Sequence, residues 1–163
     1  MLNVLYLLNH AGKAGTERYV ETLVKYLGGK QVNPFFAFNE PGLLVERMEA
    51  MNVSVRQVEL KSRFDFKAAK ALAKLCDEWK IDLIHCPRRS SDLLIHCHYL
   101  REHYIALLAK RYRKGLRVVY TNHFVMGNDG LTRFTNRLLD KKQDEIIAVC
   151  NRGKAQLMEN GWG

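Results

Sequence analysis

Residues 2–18 read LNVLYLLNHAGKAGTER, and this stretch decides the fold that we expect. The run at 2–8 is almost continuously apolar, which is typical of a strand covered on both faces. A turn that carries Gly12 and Gly15 follows, and Thr16 then opens a helix whose apolar residues recur at helical spacing. A strand, a tight turn and a helix in this order indicate the first unit of a parallel α/β sheet.

The same rhythm continues to the end of the chain. Apolar strands alternate with amphipathic helices, which favours right-handed βαβ crossovers. We therefore predict an α/β fold: a Rossmann-like, doubly wound, mostly parallel sheet of about six strands with helices on both faces. No Pro/Ser-rich linker interrupts it, so residues 1–163 form a single predicted domain. The later predicted strands are 35–38, 53–58, one within 81–97, 116–121 and 145–149, and the later predicted helices are 42–51, 66–76 after an Asp65 cap, 100–111, 131–140 and 153–160.

Composition excludes several classes of protein. The chain has 163 residues, 47% of them hydrophobic, with 26 Lys and Arg against 17 Asp and Glu, a net charge of +9. No uncharged apolar run approaches the roughly 20 residues of a membrane span, and the first residues lack the pattern of a signal peptide. Four cysteines without a CxxC pair favour reduced thiols in a cytosolic protein. A disordered tail, a secreted miniprotein and an integral membrane protein are therefore excluded, and the positive excess suggests an anionic partner.

A near duplication complicates the fourth strand. The segments DLIHC at 82–86 and LLIHC at 93–97 lie eleven residues apart, and only one of them can take the fourth strand position. The second copy could instead extend the next helix backwards from a Ser91 or Asp92 cap. The choice stays open, with a slight preference for the second copy as the strand. The repeated His-Cys pairs match no standard four-ligand zinc spacing, so we expect no metal site, with core cysteines and loop-end histidines instead.

Two chain segments are candidates for chemistry because each follows a predicted strand. The turn at 9–18 could offer backbone N–H groups and a helix N-terminus to a phosphate or carboxylate, with Gly15 allowing close approach. It matches neither GxGxxG nor GxxxxGK[ST], and the simpler reading is a tight βα turn capped by Thr16. At the end of VVYTNHF (118–124), His123 could hydrogen-bond a sugar hydroxyl or move a proton, or else be an ordinary loop histidine.

Positive charge is concentrated in one part of the sequence. Residues 88–117 contain eight basic side chains and only two acidic ones. Such a run is usually a solvated helix face, but it could also dock on anionic lipid headgroups at about 1 kcal/mol per charge. From this run we select Arg111, Arg113 and Lys114 as the predicted membrane-facing residues. No recognised nucleic-acid motif accompanies the charge, so a nucleic acid is a weaker candidate partner.

Taken together, four segments resemble the N-terminal half of a family 4 glycosyltransferase of the GT-B group, which transfers sugars from nucleotide donors with retention. They are NVLYL at 3–7 with AGTER at 14–18, KIDLIH at 80–85 or its twin ending at His98, VVYTNH at 118–123, and DEIIAVC at 144–150. The set covers essentially the whole chain. By this resemblance the chain presents an acceptor to a sugar-nucleotide donor. The donor is a substrate, and no cofactor or metal is expected.

The resemblance also implies roles for individual residues. Gly15, with Thr16, matches the turn that approaches the donor diphosphate. His123 matches the histidine that faces the reacting sugar and the acceptor, so it is the implied catalytic residue. The acceptor side is implied to comprise Glu17 and Arg18, together with His98 and Tyr99 if the second copy is the fourth strand.

The chain departs from the family pattern in three ways. Ala14 replaces the first glycine of the usual pair, and the duplication looks like an insertion of about eleven residues. A GT-B enzyme also has a second Rossmann-like domain with an E-x7-E motif, which residues 1–163 do not contain. The isolated chain is therefore expected to have little activity. By the resemblance, its partners are a nucleotide sugar, a glycan or lipid-linked acceptor, and the missing domain. The implied process is cell-surface polysaccharide biosynthesis. The implied location is cytoplasmic, on the inner face of a membrane.

Two other functions compete with this one. The first is a non-catalytic basic module that binds an anionic membrane or a nucleic acid. The second is an unrelated Rossmann enzyme that uses a dinucleotide. Against the latter, no acid stands at the expected strand end about 20 residues beyond the glycine turn. Residues 36–39 occupy that place, and Glu40 lies just past it.

Overall fold

The computed structural model describes residues 1–12, 15–87, 101–122, 130–148 and 150–162. In these ranges six strands and six helices alternate along the chain. In chain order they are β1 (Leu2–His10), α1 (Gly15–Leu27), β2 (Val32–Glu40), α2 (Leu43–Ala50), β3 (Ser54–Gln57), α3 (Phe66–Glu78), β4 (Leu83–Pro87), α4 (Arg101–Ala109), β5 (Arg117–Asn122), α5 (Gly130–Asp140), β6 (Glu145–Ala148) and α6 (Asn151–Glu159).

The strands form one sheet in the order β3-β2-β1-β4-β5-β6. Every pairing between neighbouring strands is parallel. The Rossmann-like α/β prediction is therefore confirmed. Strand order reverses between β1 and β4, and the crevice at the carboxyl ends of such a pair is where open α/β sheets bind ligands.

Helices cover both faces of the sheet because the central strand is apolar on both sides. Leu5 and Leu7 of β1 point into a cluster with α3 and α4, which includes Leu72. Tyr6, between them in sequence, points into the opposite cluster with α1 and α2, which includes Val20. Alternate residues of a strand face opposite sides, so a strand buried on both sides must be apolar at successive positions.

Several element boundaries differ from those predicted. β2 extends through Glu40, so an acid does stand at that strand end and the argument against a dinucleotide was wrong on this point. Thr16 is the second residue of α1 and not its cap, and α4 ends before Arg111, which lies in the following turn. The Asp65 cap is confirmed, since its Oδ1 accepts a hydrogen bond from the backbone N–H of Ala68 at 2.9 Å.

The first copy of the duplicated segment forms β4, so the slight preference for the second copy was wrong. Leu83 pairs with Val4 of β1 and with Arg117 of β5. The reason lies just before the strand. The carboxylate of Asp82 accepts a hydrogen bond from the backbone N–H of Asn3 at 2.9 Å, and the second copy has a leucine at the equivalent position, 93. Residues 93–97 lie outside the described residues.

Candidate functional site at the carboxyl edge of the sheet

The turn after β1 is held from two sides by backbone hydrogen bonds. The N–H of Ala11 donates to the carbonyl of Glu40 at 3.0 Å, and the carbonyl of Ala11 accepts from the N–H of Leu44 at 2.9 Å. Gly42 packs so closely that a Cβ there would lie 2.5 Å from the carbonyl oxygen of Ala11. Ala11 and Gly12 after β1 are therefore packed and hydrogen-bonded against the connection between β2 and α2, which includes Gly42. We call this pair of packed connections at the carboxyl edge of the sheet the ledge.

A histidine and a glutamate meet on this ledge. His10 and Glu40 are register partners at the ends of β1 and β2, and His10 Nδ1 lies 3.3 Å from Glu40 Oε2. The imidazole lies over the turn, since a Cβ at Gly12 would come 2.8 Å from His10 Nε2. Sequence reasoning missed this pair. Its signal would have been a polar residue ending each of two adjacent parallel strands.

The first turn of α1 lies behind the ledge. Gly15 opens the helix and is exposed, and Arg18 is also exposed. Thr16 and Glu17, in contrast, are only 2% and 1% exposed. The Glu17 carboxylate reaches beneath the turn, where its Oε1 is 3.5 Å from the position of a Cβ on Gly12. An acid in the first turn of a helix interacts favourably with the helix dipole.

A buried polar pair lies on the other side of the strand reversal. His85 Nε2 in β4 and Thr121 Oγ1 in β5 are 2.7 Å apart. The imidazole also faces the rings of Tyr6 and Tyr19, at centroid distances of 5.5 and 6.1 Å. Burial raises the pKa of Tyr6 to about 12, so its phenol stays neutral at physiological pH. The expectation that His85 is a loop-end histidine was wrong, because it lies within a strand and joins β1, β4, β5 and α1.

The next residue along, Cys86, points to the opposite face of the sheet. It is 1% exposed, and burial raises its pKa well above the usual thiol value. Burial likewise raises the pKa of Cys76 to about 12. The prediction of core cysteines in the repeated His-Cys pairs is confirmed for Cys86, whereas Cys97 lies outside the described residues. Within the described ranges no three His, Cys, Asp or Glu side chains form a metal cluster, and residues 96–98 fall outside those ranges.

An asparagine–arginine network braces the crevice from the β3 side. Asn39 Nδ2 donates to Asn9 Oδ1 at 3.0 Å, and Asn39 Oδ1 accepts from the N–H of Leu60 at 2.9 Å. Arg101 Nη1, at the start of α4, donates to the Leu60 carbonyl at 2.7 Å and to Asn9 Oδ1 at 3.3 Å. These contacts tie the ends of β1 and β2 to α4, and sequence reasoning did not anticipate them.

The sequence profile of the family described as Glycosyltransferase Family 4 matches residues 14–162. The chain belongs to this family. The resemblance predicted from sequence is therefore confirmed. No curated protein sequence matches the chain.

Solved structures support the fold of this family 4 chain. A glycosyltransferase from Rickettsia africae ESF-5 matches with a TM-score of 0.77 at 20% identity, over 98% of the chain and 40% of that protein. Anabaena Alr3699/HepE in complex with UDP matches with a TM-score of 0.72 at 12% identity, over 99% of the chain and 42% of that protein. The lipopolysaccharide outer core galactosyltransferase WaaB matches with a TM-score of 0.69 at 13% identity, over 99% of the chain and 43% of that protein. The chain thus spans about two fifths of each of these proteins.

Three of the site residues predicted for the family 4 chain lie outside the described residues. β5 ends at Asn122, and His123, the next residue in sequence, lies outside the described residues. The same holds for His98 and Tyr99. The structure therefore brings together only the Gly15–Arg18 part of the predicted site, and it adds His10, Glu40 and the His85–Thr121 pair.

The predicted membrane-facing cations lie at the opposite, amino edge of the sheet. Arg111 and Lys114 are exposed in the turn after α4. Arg113 is instead partly buried: its Nε donates to Asp77 Oδ1 at 2.8 Å and its Nη1 donates to the carbonyl of Ile81. Arg113 therefore ties α4 to the end of α3 and does not project freely from the surface. Among the helices that the structure describes, none is long and apolar enough to cross a membrane.

Proposed function

We propose that this chain is the acceptor-binding N-terminal half of a retaining glycosyltransferase, which transfers a sugar from a nucleotide-sugar donor to a glycan or lipid-linked acceptor. The observation that carries the proposal is the interlocked turn at the reversal of strand order, where an exposed Gly15 opens α1. Family membership supports the reaction class. The proposal places the protein in cell-surface polysaccharide synthesis on the cytoplasmic side of a membrane.

The donor side of the proposal rests on the N-terminus of α1. HepE has been solved with UDP and with UDP-glucose, which supports a nucleotide diphosphate as the ligand of this fold. We assign the diphosphate to the backbone N–H groups at Gly15 and Thr16, where the helix dipole favours negative charge. The Thr16 side chain is buried, so its contribution comes from the backbone.

The chemistry follows from this position. Transfer breaks the bond between the anomeric carbon and the donor phosphate, forms a bond to the acceptor oxygen and releases the acceptor proton. Negative charge therefore grows on the leaving diphosphate, and preorganised N–H donors at Gly15 stabilise that charge. His123 orients the sugar and the acceptor hydroxyl. The nucleotide sugar is a substrate, and the proposal includes no cofactor or metal.

The acceptor side is assigned to the residues beside the same turn. Arg18 is exposed at the crevice, so it can meet an anionic acceptor group, whereas the buried Glu17 acts by shaping the turn beneath Gly12. His98 and Tyr99 complete the proposed acceptor side. Because the chain spans about two fifths of its structural neighbours, we assign the remaining donor contacts to a second domain. The chain alone should then bind a donor weakly and transfer little.

A titration followed by NMR tests the anion site. We expect UDP and UDP-glucose to shift the amide signals of Gly15 and Thr16. Gly130 provides the internal control, because it also opens a helix and is also exposed, but it stands at the start of α5. Equal shifts at Gly15 and Gly130 would indicate nonspecific attraction to helix ends and would contradict the assignment, as would an absence of shifts at Gly15. Measurable sugar transfer by the purified chain would refute the claim that it holds half a site.

A further inference from the structure

Helix α5 carries an apolar stripe that the core does not use. Leu131, Phe134 and Leu138 are 72%, 60% and 59% exposed, although leucine and phenylalanine are usually buried. Their i, i+3, i+7 spacing puts them on one side of the helix. The helix is anchored by its other side, through Asn136 at 0% and Leu139 at 7% exposure. The stripe is therefore a surface feature of a helix that is already packed.

Positive charge flanks this stripe. Arg133 and Arg137 are exposed on α5 itself, and neither forms an ion pair with any residue in the described ranges. Lys141 and Lys142 are exposed in the turn that follows. The acidic residue of α5 is Asp140, at its last position. We call these four cations and the three apolar residues the α5 surface.

The α5 surface continues into the basic turn after α4. Lys110 Nζ donates to the carbonyl of Lys142 at 2.6 Å and to Asp144 Oδ2 at 2.7 Å, so the turns after α4 and α5 lie side by side. Arg111 and Lys114 are exposed in the first of these turns. One basic border thus extends from α5 to the amino edge of the sheet.

We infer that the α5 surface docks this protein on an anionic phospholipid bilayer. An amphipathic helix with leucine and phenylalanine on one side and arginine and lysine beside them matches helices that lie in the membrane interface. Its apolar residues enter the acyl boundary, and each nearby cation gains from the anionic headgroups. The inference differs from the sequence prediction, because it moves the docking surface from the turn after α4 to α5.

A second copy of the chain fits this surface less well. A two-fold interface brings a patch against itself, so the arginines and lysines of one copy would face those of the other. Like charges that face each other across an interface cost several kcal/mol, whereas an anionic bilayer supplies the opposite charge. Charge complementarity therefore favours the lipid over a second copy.

Docking would also orient the crevice, a consequence that rests on the proposed function. α5 follows β5, so it begins at the carboxyl edge of the sheet, where the crevice lies, and it runs to the amino edge. If the helix lies flat in the interface, one edge of the crevice stands at headgroup level. A lipid-linked acceptor could then enter without leaving the bilayer.

Vesicle co-sedimentation tests docking separately from any transfer reaction. The probe is vesicles of phosphatidylcholine mixed equally with phosphatidylglycerol, compared with vesicles of phosphatidylcholine alone. We expect the protein to bind the anionic vesicles, and R133Q/R137Q to lower the partition coefficient roughly 30-fold. The matched control is K70Q/K74Q, which removes the same charge from exposed positions of α3. The triple variant L131Q/F134Q/L138Q should lower the partition coefficient by more than about 100-fold, because each side chain loses its apolar burial.

Because these residues are exposed, the variants should retain the circular dichroism and melting point of the wild type. A second readout is F134W, whose fluorescence should shift to the blue only with anionic vesicles. Binding retained by the triple variant, or an equal loss in K70Q/K74Q, would overturn the inference. A dimer in sedimentation that the triple variant dissociates, without any vesicle binding, would assign the surface to a second copy and overturn it too. Failure of donor binding at Gly15 would leave docking intact and refute only the proposed function.

Discussion

Replacing Gly42 with alanine should destabilise the ledge beside the candidate site. The new Cβ would lie 2.5 Å from the carbonyl oxygen of Ala11, 2.8 Å from its carbonyl carbon and 3.0 Å from the Cα of Gly12. All three are backbone atoms, so no side chain can rotate away. Relief requires the two connections to separate, which weakens the 2.9 Å hydrogen bond from Leu44 to Ala11. Overpacking of this kind costs about 2 kcal/mol.

A loss of about 2 kcal/mol should lower the melting midpoint of a domain this size by about 4–8 °C. Thermal unfolding measures it, and amide exchange at Leu44 should quicken. The control is Gly130→Ala, since a Cβ there meets nothing within 4 Å, and it should leave the midpoint unchanged or slightly raised. Gly12→Ala should be intermediate, because its clash is with the His10 side chain, which can rotate, and not with backbone atoms. The prediction is refuted if Gly42→Ala has the melting midpoint of the wild type. It is also refuted if Gly130→Ala lowers the midpoint as much as Gly42→Ala does.

Two further predictions concern stability. His103 is 1% exposed, stacks on Tyr120 at 4.4 Å, and has no hydrogen-bond partner for either ring nitrogen among the described residues; burial lowers its pKa from 6.5 to about 3. His103 is therefore protonated in the unfolded chain at a pH at which it stays neutral in the folded chain. The free energy of unfolding should fall by about 1.4 kcal/mol per pH unit as the pH drops below about 6.5. Denaturant titrations should show that the free energy of unfolding of His103→Phe depends less on pH. Asp65→Ala should lower the free energy of unfolding by about 1 kcal/mol at neutral pH, because it removes the cap of α3. Asp65→Asn should retain most of the stabilisation, because asparagine is also a good N-cap residue. The Ala68 N–H lowers the pKa of Asp65, so the cost of Asp65→Ala should shrink only in strong acid, and an unchanged cost there would contradict the assignment.

The candidate site was only partly predictable from the sequence. Gly15 stands where the strand–turn–helix pattern of residues 2–18 put it, because that pattern is local and consecutive. The burial of Thr16 and Glu17 was not predictable, since it depends on how α1 settles on the sheet. His10 and Glu40 are 30 residues apart in sequence, and only the parallel register of β1 and β2 makes them neighbours.

The sequence by itself determined the alternation of strands and helices and the Rossmann-like class, because apolar spacing of two or 3.6 residues is set within each element. It also carried the motifs by which the chain resembles its family, which the family profile over residues 14–162 confirms. Only the tertiary structure decided which copy of the duplicated segment is β4, that His85 meets Thr121, and that Arg113 is tied to Asp77. It also exposed one side of α5, although the spacing of its apolar residues alone would suit a core helix. The physical reason is the same in each case: local periodicity defines the faces of an element, but the neighbour that each face meets depends on strand order and packing.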